Sequence, residues 1–244
     1  MQLGKFETNN VYCEDCYKAI KEIPDNSIDC IYTDIPYFYI NGSGGNSELS
    51  KRIDSNINTG LKDIKDGIDF DILNEFVRVM KKINIFIWCS KLQILDIMKF
   101  FIEKHNCFFE ILTWNKTNPT PSTMNTWLPD IEYCLYFREK GVSLNDGYEL
   151  KSKWYDSPIN KRDKDKFNHP TIKPLDLVKR HILHATQPND IVLDCFMGSG
   201  TTCVAAKDTD REYIGFEIEK KWYGIAKDRL DQTDANGQMS LFLR

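Results

Sequence analysis

Apolar positions in this chain fall into two repeating patterns. Short continuous apolar runs, Cys30–Thr33, Ile83–Trp88, Phe108–Trp114, Ile131–Phe137, Ile191–Leu193 and Tyr213–Phe216, have the length of strands buried on both faces. Val11–Cys13 is a shorter strand candidate at the start. Between these runs, apolar residues recur at helical spacing over Tyr17–Ile23, which Pro24 closes, and over Phe70–Lys82, with Ile72, Phe76, Val79 and Met80 on one side. Leu92–His105, Leu175–His184 and Lys220–Asp231 repeat that spacing. Strands that alternate with helices predict an α/β fold: a doubly wound, Rossmann-like, mostly parallel sheet with helices on both faces.

Two stretches interrupt the pattern. From Tyr39 to Gly67 the composition turns to Asn, Gly, Ser and Lys, including Asn41-Gly-Ser-Gly-Gly-Asn46, with neither period sustained. Because it follows Tyr37 directly, residues 41–66 are expected to form a mobile flap that closes over substrate. Between Asn115 and Asn168 the order loosens again around Thr117-Asn-Pro-Thr-Pro121 and a polar tract. The chain therefore divides into 1–114, an insertion at 115–167, a half at 168–235 and a tail at 236–244.

One turn carries the clearest chemistry. Ile191-Val-Leu-Asp194 leads into Cys195-Phe196-Met197-Gly198-Ser199-Gly200-Thr201-Thr202, which reads as strand, glycine turn and helix start. There is no Gly-Lys-Ser/Thr of a Walker loop and no third glycine of a dinucleotide fingerprint. Glu217 ends the next apolar run, where doubly wound folds place the acid that holds a ribose. The expected ligand is nucleoside-like and not a nucleoside triphosphate. A second centre is Asp34-Ile35-Pro36-Tyr37, in which a carboxylate ends a buried strand, Pro stiffens the turn and Tyr presents an aromatic face. Asp15 occupies the corresponding place after the first strand.

Composition narrows the setting. The 244 residues, 41% apolar and 28% charged, can bury a full core. No run of ~18 apolar residues and no basic-then-apolar start is present, so a cytoplasmic location without a membrane span is expected. Eight cysteines are scattered singly, which suits reduced core thiols. Cys13-Glu-Asp-Cys16 has metal spacing, but no second pair or His pair stands at a matching distance, so no metal is expected. The net charge of −4 opposes a broadly basic face, and any nucleic-acid contact must come from a local patch. The best candidate is Lys151, Lys153, Trp154, Tyr155, Lys161, Arg162, Lys164 and Lys166, where cations exceed Asp156, Asp163 and Asp165 and aromatic groups stand among them. A solvated polar loop is the alternative.

Three motifs in order resemble one family. Asp34-Ile-Pro-Tyr37, His169-Pro-Thr-Ile-Lys-Pro174 and Asp194-Cys-Phe-Met-Gly-Ser-Gly-Thr-Thr202 resemble the DNA amino-methyltransferases of the beta arrangement, in which the catalytic half precedes the cofactor half. The resemblance implies S-adenosylmethionine over Asp194, Phe196, Gly198, Ser199, Gly200, Thr201 and Thr202, with Glu217 on its ribose, Asp15 near its adenine and Lys173 at its methionine carboxylate. It implies catalysis at Asp34, Ile35, Pro36 and Tyr37, with the Asp34 carboxylate and the Ile35 carbonyl accepting amine hydrogens and Tyr37 stacking on a flipped base of duplex DNA. It further implies that 115–167 recognises the target sequence, and it allows a homodimer.

Two positions depart from the family pattern: Ile35 and Cys195 stand where Pro is usual. Neither removes a functional side chain. Asp34 favours adenine N6 over cytosine N4, whose enzymes more often carry Ser there; an RNA or protein-amide methyltransferase is the more distant alternative. Methylation of a cytosine carbon needs a Pro-Cys nucleophile, and no Pro-Cys occurs. Gln238-Met-Ser-Leu-Phe242 resembles the short peptide that docks on the bacterial sliding clamp, and it follows a polar linker.

Overall fold

A computed structural model describes residues 1–37, 67–122, 127–159 and 172–235. Ten strands are present among them. β1 (Gln2–Leu3) and β2 (Phe6–Glu7) pair as a small antiparallel ribbon that the apolar pattern did not mark, since two-residue strands carry no period. The remaining eight, β3 (Asn10–Tyr12), β4 (Cys30–Asp34), β5 (Asn84–Cys89), β6 (Phe108–Lys116), β7 (Ile131–Arg138), β8 (Trp154–Ser157), β9 (Ile191–Asp194) and β10 (Glu212–Phe216), form one sheet in the order β3-β10-β9-β4-β5-β7-β6-β8. All adjacent pairs are parallel except the two made by β7, which runs antiparallel between β5 and β6.

Alternation along each strand fills both faces. Ile31, Ile85, Ile87, Leu135 and Leu193 face a core that includes Ile20 of the first helical segment, Ile72, Leu73 and Phe76 of α2 (Ile72–Val79), and Ile97 of α3 (Ile94–Met98). Tyr32, Phe86, Trp88, Tyr136 and Val192 face the opposite core, with Leu177 and Ile182 of α4 (Leu175–Ala185), Val204 of α5 (Thr201–Lys207) and Ala226 of α6 (Lys220–Ala235). Both layers exclude water, which is why the strands read as apolar runs without polar alternation.

Three expectations require adjustment. The helix expected over 17–23 is α1 (Cys16–Ala19), capped by Asp15, and tightens into a 3-10 turn over Ile20–Glu22 ahead of Pro24. The stretch 92–105 begins at Ile94 and widens into a π-helix over Lys99–Lys104. The span 115–167 is not a separate insertion: β7 is an inner strand of the sheet, and Trp154–Ser157 adds the edge strand beside β6. That edge was missed because Trp154-Tyr-Asp-Ser157 is short and polar; it is held by the ladder and by Trp114 Nε1 donating to Ser157 Oγ at 2.8 Å. The flap residues 41–66 and the clamp-like Gln238–Phe242 lie outside the described residues. All eight cysteines are free, as expected of reduced thiols. Among the described residues no helix is long and apolar enough to cross a membrane, and no group of three His, Cys, Asp or Glu is placed to hold a metal ion.

Candidate active site

Four adjacent strands, β3, β10, β9 and β4, each carry an acid at or just past the carboxyl end: Asp15, Glu217, Asp194 and Asp34. At about 4.8 Å per strand step, the row extends over roughly 14 Å. It includes the point where connections diverge, since β9 leads through α5 to β10 on one side and β4 leads through α2 to β5 on the other. Doubly wound sheets bind ligands in the crevice at such a point.

The glycine turn is built as the sequence indicates. Gly198 (φ 52°) and Gly200 (φ 77°) take left-handed backbone conformations, and α5 begins at Thr201. Asp194 Oδ1 accepts from the Phe196 amide at 3.1 Å and from Thr33 Oγ1 at 2.9 Å, tying β9 to β4. Burial pushes the Asp194 carboxyl up to about 7, opposed by hydrogen bonds from Thr202, Thr33 and Phe196. Glu217 accepts the Gly198 amide at 3.0 Å and the Glu219 amide at 2.8 Å, so the acid of β10 is drawn to the turn. Its carboxyl is also raised by burial. Ser199 and Thr201 are both buried. Asp15 accepts the Tyr17 amide at 3.0 Å as the cap of α1.

A group that sequence reasoning missed supports the turn from behind. Arg229 of α6 is buried and donates to Ser199 O at 2.7 Å, Ser199 Oγ at 3.0 Å and Thr201 Oγ1 at 3.1 Å. In sequence it is one cation among several on an amphipathic helix, and nothing local separates it from a solvated one.

The second centre closes around Asp34. The Ile35 amide donates to Trp88 O at 3.2 Å, and Gln93 Nε2 donates to Pro36 O at 2.9 Å, fixing the tetrapeptide backbone after the strand ends. Gln93 is itself buried and held by the Ser90 amide and hydroxyl at 3.0 and 2.9 Å. Asp34 Oδ2 pairs with Lys173 Nζ at 2.5 Å. Its other oxygen, Oδ1, is buried and has no hydrogen-bond partner among the described residues. An unpaired buried acceptor costs about 1–3 kcal/mol, which sets this oxygen apart from the paired acids around it. Burial pushes the Asp34 carboxyl up, and Lys173 works against that shift.

The buried ammonium of Lys173 sits among Asp34, Glu132 Oε2 at 3.0 Å and the Tyr37 hydroxyl at 3.3 Å, contacts that its motif did not foretell. Glu132, absent from the expected site, lies on β7 and also pairs with Lys116 at 2.8 Å. The two ammonium groups hold its carboxyl down to about 2 despite burial. A single acid inside the apolar run Ile131–Phe137 was the available signal.

The expected DNA-contact tract is only partly described. Lys151 is paired with Asp146 and Lys153 with Glu110, which reduces the local excess of positive charge. Trp154 is 60% exposed, whereas Tyr155 is half-buried with the Arg180 guanidinium 5.1 Å from its ring centre. Lys161, Arg162, Lys164 and Lys166 lie outside the described residues.

Known proteins resemble this chain over most of its length. Residues 28–228 match the model of a family described as DNA methylase, a span that covers both centres. The chain belongs to that DNA methylase family. The methylase is 33% identical over 242 residues to Type II methyltransferase M2.LlaDCHI of Lactococcus lactis subsp. cremoris, covering 91% of this chain and 89% of that one. It is 32% identical over 238 residues to Type II methyltransferase M2.DpnII of Streptococcus pneumoniae, covering 89% and 87%. Among solved structures, the M1.HpyAVI–SAM complex superposes with a TM-score of 0.67 at 28% identity, covering 90% of the methylase and 98% of that chain. The fold is also that of the PvuII DNA methyltransferase (cytosine-N4-specific), with a TM-score of 0.69 at 17% identity over 93% and 90% of the two chains.

Proposed function

We propose that this methylase transfers a methyl group from S-adenosylmethionine to the exocyclic N6 amine of an adenine flipped out of duplex DNA. The observation that carries the reading is the buried, unpartnered Asp34 Oδ1, one strand away from the glycine turn and linked to it through Thr33 and Asp194.

The residues present fit such a donor. Glu217 offers a carboxylate suited to ribose hydroxyls, the left-handed Gly198 and Gly200 let the backbone approach closely, and Asp15 lies two strands from Asp194 at the far end of the row. When bound, the donor supplies an electrophilic methyl on a sulfonium sulfur. Asp34 performs the other half of the chemistry. An adenine amine is a weak nucleophile because its lone pair is delocalised into the ring. By accepting one N–H on Oδ1, with the Ile35 carbonyl accepting the second, the site favours a more tetrahedral nitrogen and stabilises its developing positive charge. Tyr37 supplies the aromatic face for the base, and positioning supplies much of the rate. A base inside a duplex cannot reach a buried carboxylate, so flipping is required.

Asp34 also supports adenine over cytosine N4 through the family pattern. The test is nucleoside analysis of plasmid DNA incubated with the protein and methyl-labelled donor. Labelled N6-methyldeoxyadenosine, lost in Asp34→Ala, is expected; label in N4-methyldeoxycytidine would replace adenine by cytosine, and no DNA label would overturn the reading.

Three partner roles complete the proposal. Trp154 and Tyr155 on β8, together with Lys151, Lys153, Lys161, Arg162, Lys164 and Lys166, contact DNA. Gln238–Phe242 docks on the bacterial sliding clamp, and truncation after Asn236 is expected to abolish clamp pull-down; equal recovery by both chains would refute docking. The homodimer is tested by sedimentation of the full chain, where a monomer at micromolar concentration would refute it.

A further inference from the structure

We propose that Lys173 is a positioning residue for methyl transfer: with Glu132 and Lys116 it holds Asp34 by Oδ2 and so leaves Oδ1 as the acceptor aimed at the base amine. The inference rests on the transfer reading above and deepens it.

Geometry carries the argument. The four charged groups alternate in sign, Asp34 to Lys173 at 2.5 Å, Lys173 to Glu132 at 3.0 Å and Glu132 to Lys116 at 2.8 Å, so the cluster is neutral as a whole. Its members come from β4, the segment before α4, β7 and β6, and the Lys173 side chain is only 7% exposed. Removing one member of such a buried pair leaves an uncompensated charge, so each fixes its neighbour. Trp88 adds an aromatic face 5.1 Å from the Lys173 ammonium, which confines it further. A carboxylate bonded through one oxygen only cannot rotate freely, and its second oxygen acquires a set direction. Asp34 Oδ1 is that second oxygen, and it is the one without a partner.

The same contact keeps Asp34 an acceptor. A buried carboxyl without a cation takes up a proton more readily, and a protonated Asp34 no longer stabilises a developing cation. The groups that act on Asp34 are Lys173 and Glu132, the Tyr37 hydroxyl, Lys116 behind Glu132, and the acids and thiols of neighbouring strands, Asp194 on β9 and Cys89 on β5. Lys173 is the cation in direct contact.

The expectation that Lys173 binds the donor's carboxylate makes a different prediction, which gives the test its force. Lys173→Met and Glu132→Gln are compared with the parent in three measurements: donor affinity by calorimetry with S-adenosylmethionine alone, the pH profile of kcat on DNA, and carbon-13 NMR titration of the Asp34 carboxyl in the donor-free protein, assigned with Asp34→Asn. Lys173→Met is expected to lower kcat by about 100-fold, the scale of a misplaced reacting group, and to leave donor affinity within about threefold. Its acid limb and the Asp34 titration are expected to move to higher pH by at least about one unit. Glu132→Gln removes an anion near Asp34, so its titration is expected to move to lower pH while kcat falls about tenfold.

Shifts of opposite sign in two folded variants are not produced by a packing role. Donor affinity weakened more than tenfold with kcat intact would assign Lys173 to the donor, and unmoved titrations in both variants would reduce it to a structural pair; either overturns the proposal. If the parent methylates no DNA, the transfer reading fails, while the donor-free titration still decides what Lys173 does to Asp34. Should Lys173→Met not fold, Glu132→Gln alone decides by the direction of its shift.

Discussion

Gly200 offers the sharpest check on how the glycine turn is held. Replacing it with alanine keeps every polar group and adds one methyl. At φ 77° an L residue bears a left-handed penalty of about 1–2 kcal/mol. The new Cβ would lie 2.8 Å from Ala226 Cβ and 3.2 Å from Ala226 Cα, against the buried Ala226 of helix α6. Overpacking of that kind costs about 1–3 kcal/mol, since the obstacle is a helix and not the end of a flexible side chain. Gly200→Ala is therefore expected to lose roughly 2–5 kcal/mol, a large part of an ordinary stability of about 5–15 kcal/mol. Urea unfolding of the donor-free protein measures the loss, and calorimetry measures the accompanying fall in donor affinity. Pairing it with Ala226→Gly separates the two causes: the double variant is expected to be more stable than the sum of the single changes by about 1 kcal/mol or more. A loss below about 0.5 kcal/mol in Gly200→Ala, or strict additivity in the pair, would refute the reasoning.

Further expectations follow from the groups around both centres. Arg229→Met removes the three hydrogen bonds that its guanidinium donates to Ser199 and Thr201 and is expected to cost about 3 kcal/mol in urea unfolding together with weaker donor binding. Gln93→Leu frees the Pro36 carbonyl; kcat is expected to fall about tenfold or more in steady-state assays, with donor affinity unchanged. Asp194 has its carboxyl raised from 3.8 to about 7, so the folded state prefers the protonated form: that contribution is full below pH 3.8 and is lost as pH rises through about 7. The difference corresponds to on the order of 4 kcal/mol, and donor-free Asp194→Asn is expected to gain stability over the parent between pH 4 and pH 8 in thermal scans.

Much of the fold was legible because its strands are buried on both faces. Runs such as Ile83–Trp88 and Ile191–Leu193 leave no other place for their side chains, and the acids that end them mark the sheet's carboxyl edge. Asp34, Asp194 and Glu217 were found that way. What was not legible depends on contacts far apart in the chain. Lys173 meets Asp34 across 139 positions and Arg229 meets Ser199 across 30, and neither cation differs locally from a solvated one. The role expected of Lys173, at the donor's methionine carboxylate, came from its motif and not from any physical property of the segment. Likewise, the polar tract near Trp154 looked like a loop because sheet edges tolerate polar residues on their open side. Two of its lysines, Lys151 and Lys153, pair with Asp146 and Glu110, acids that lie outside the tract.

Single-molecule sequencing of DNA from cells that express this chain tests the central claim most directly, because it reports the modified base and its sequence context together. N6-methyladenine is expected at one recurrent sequence, absent from cells that express Asp34→Ala. No modification beyond the Asp34→Ala control, or modification confined to cytosine, would contradict it.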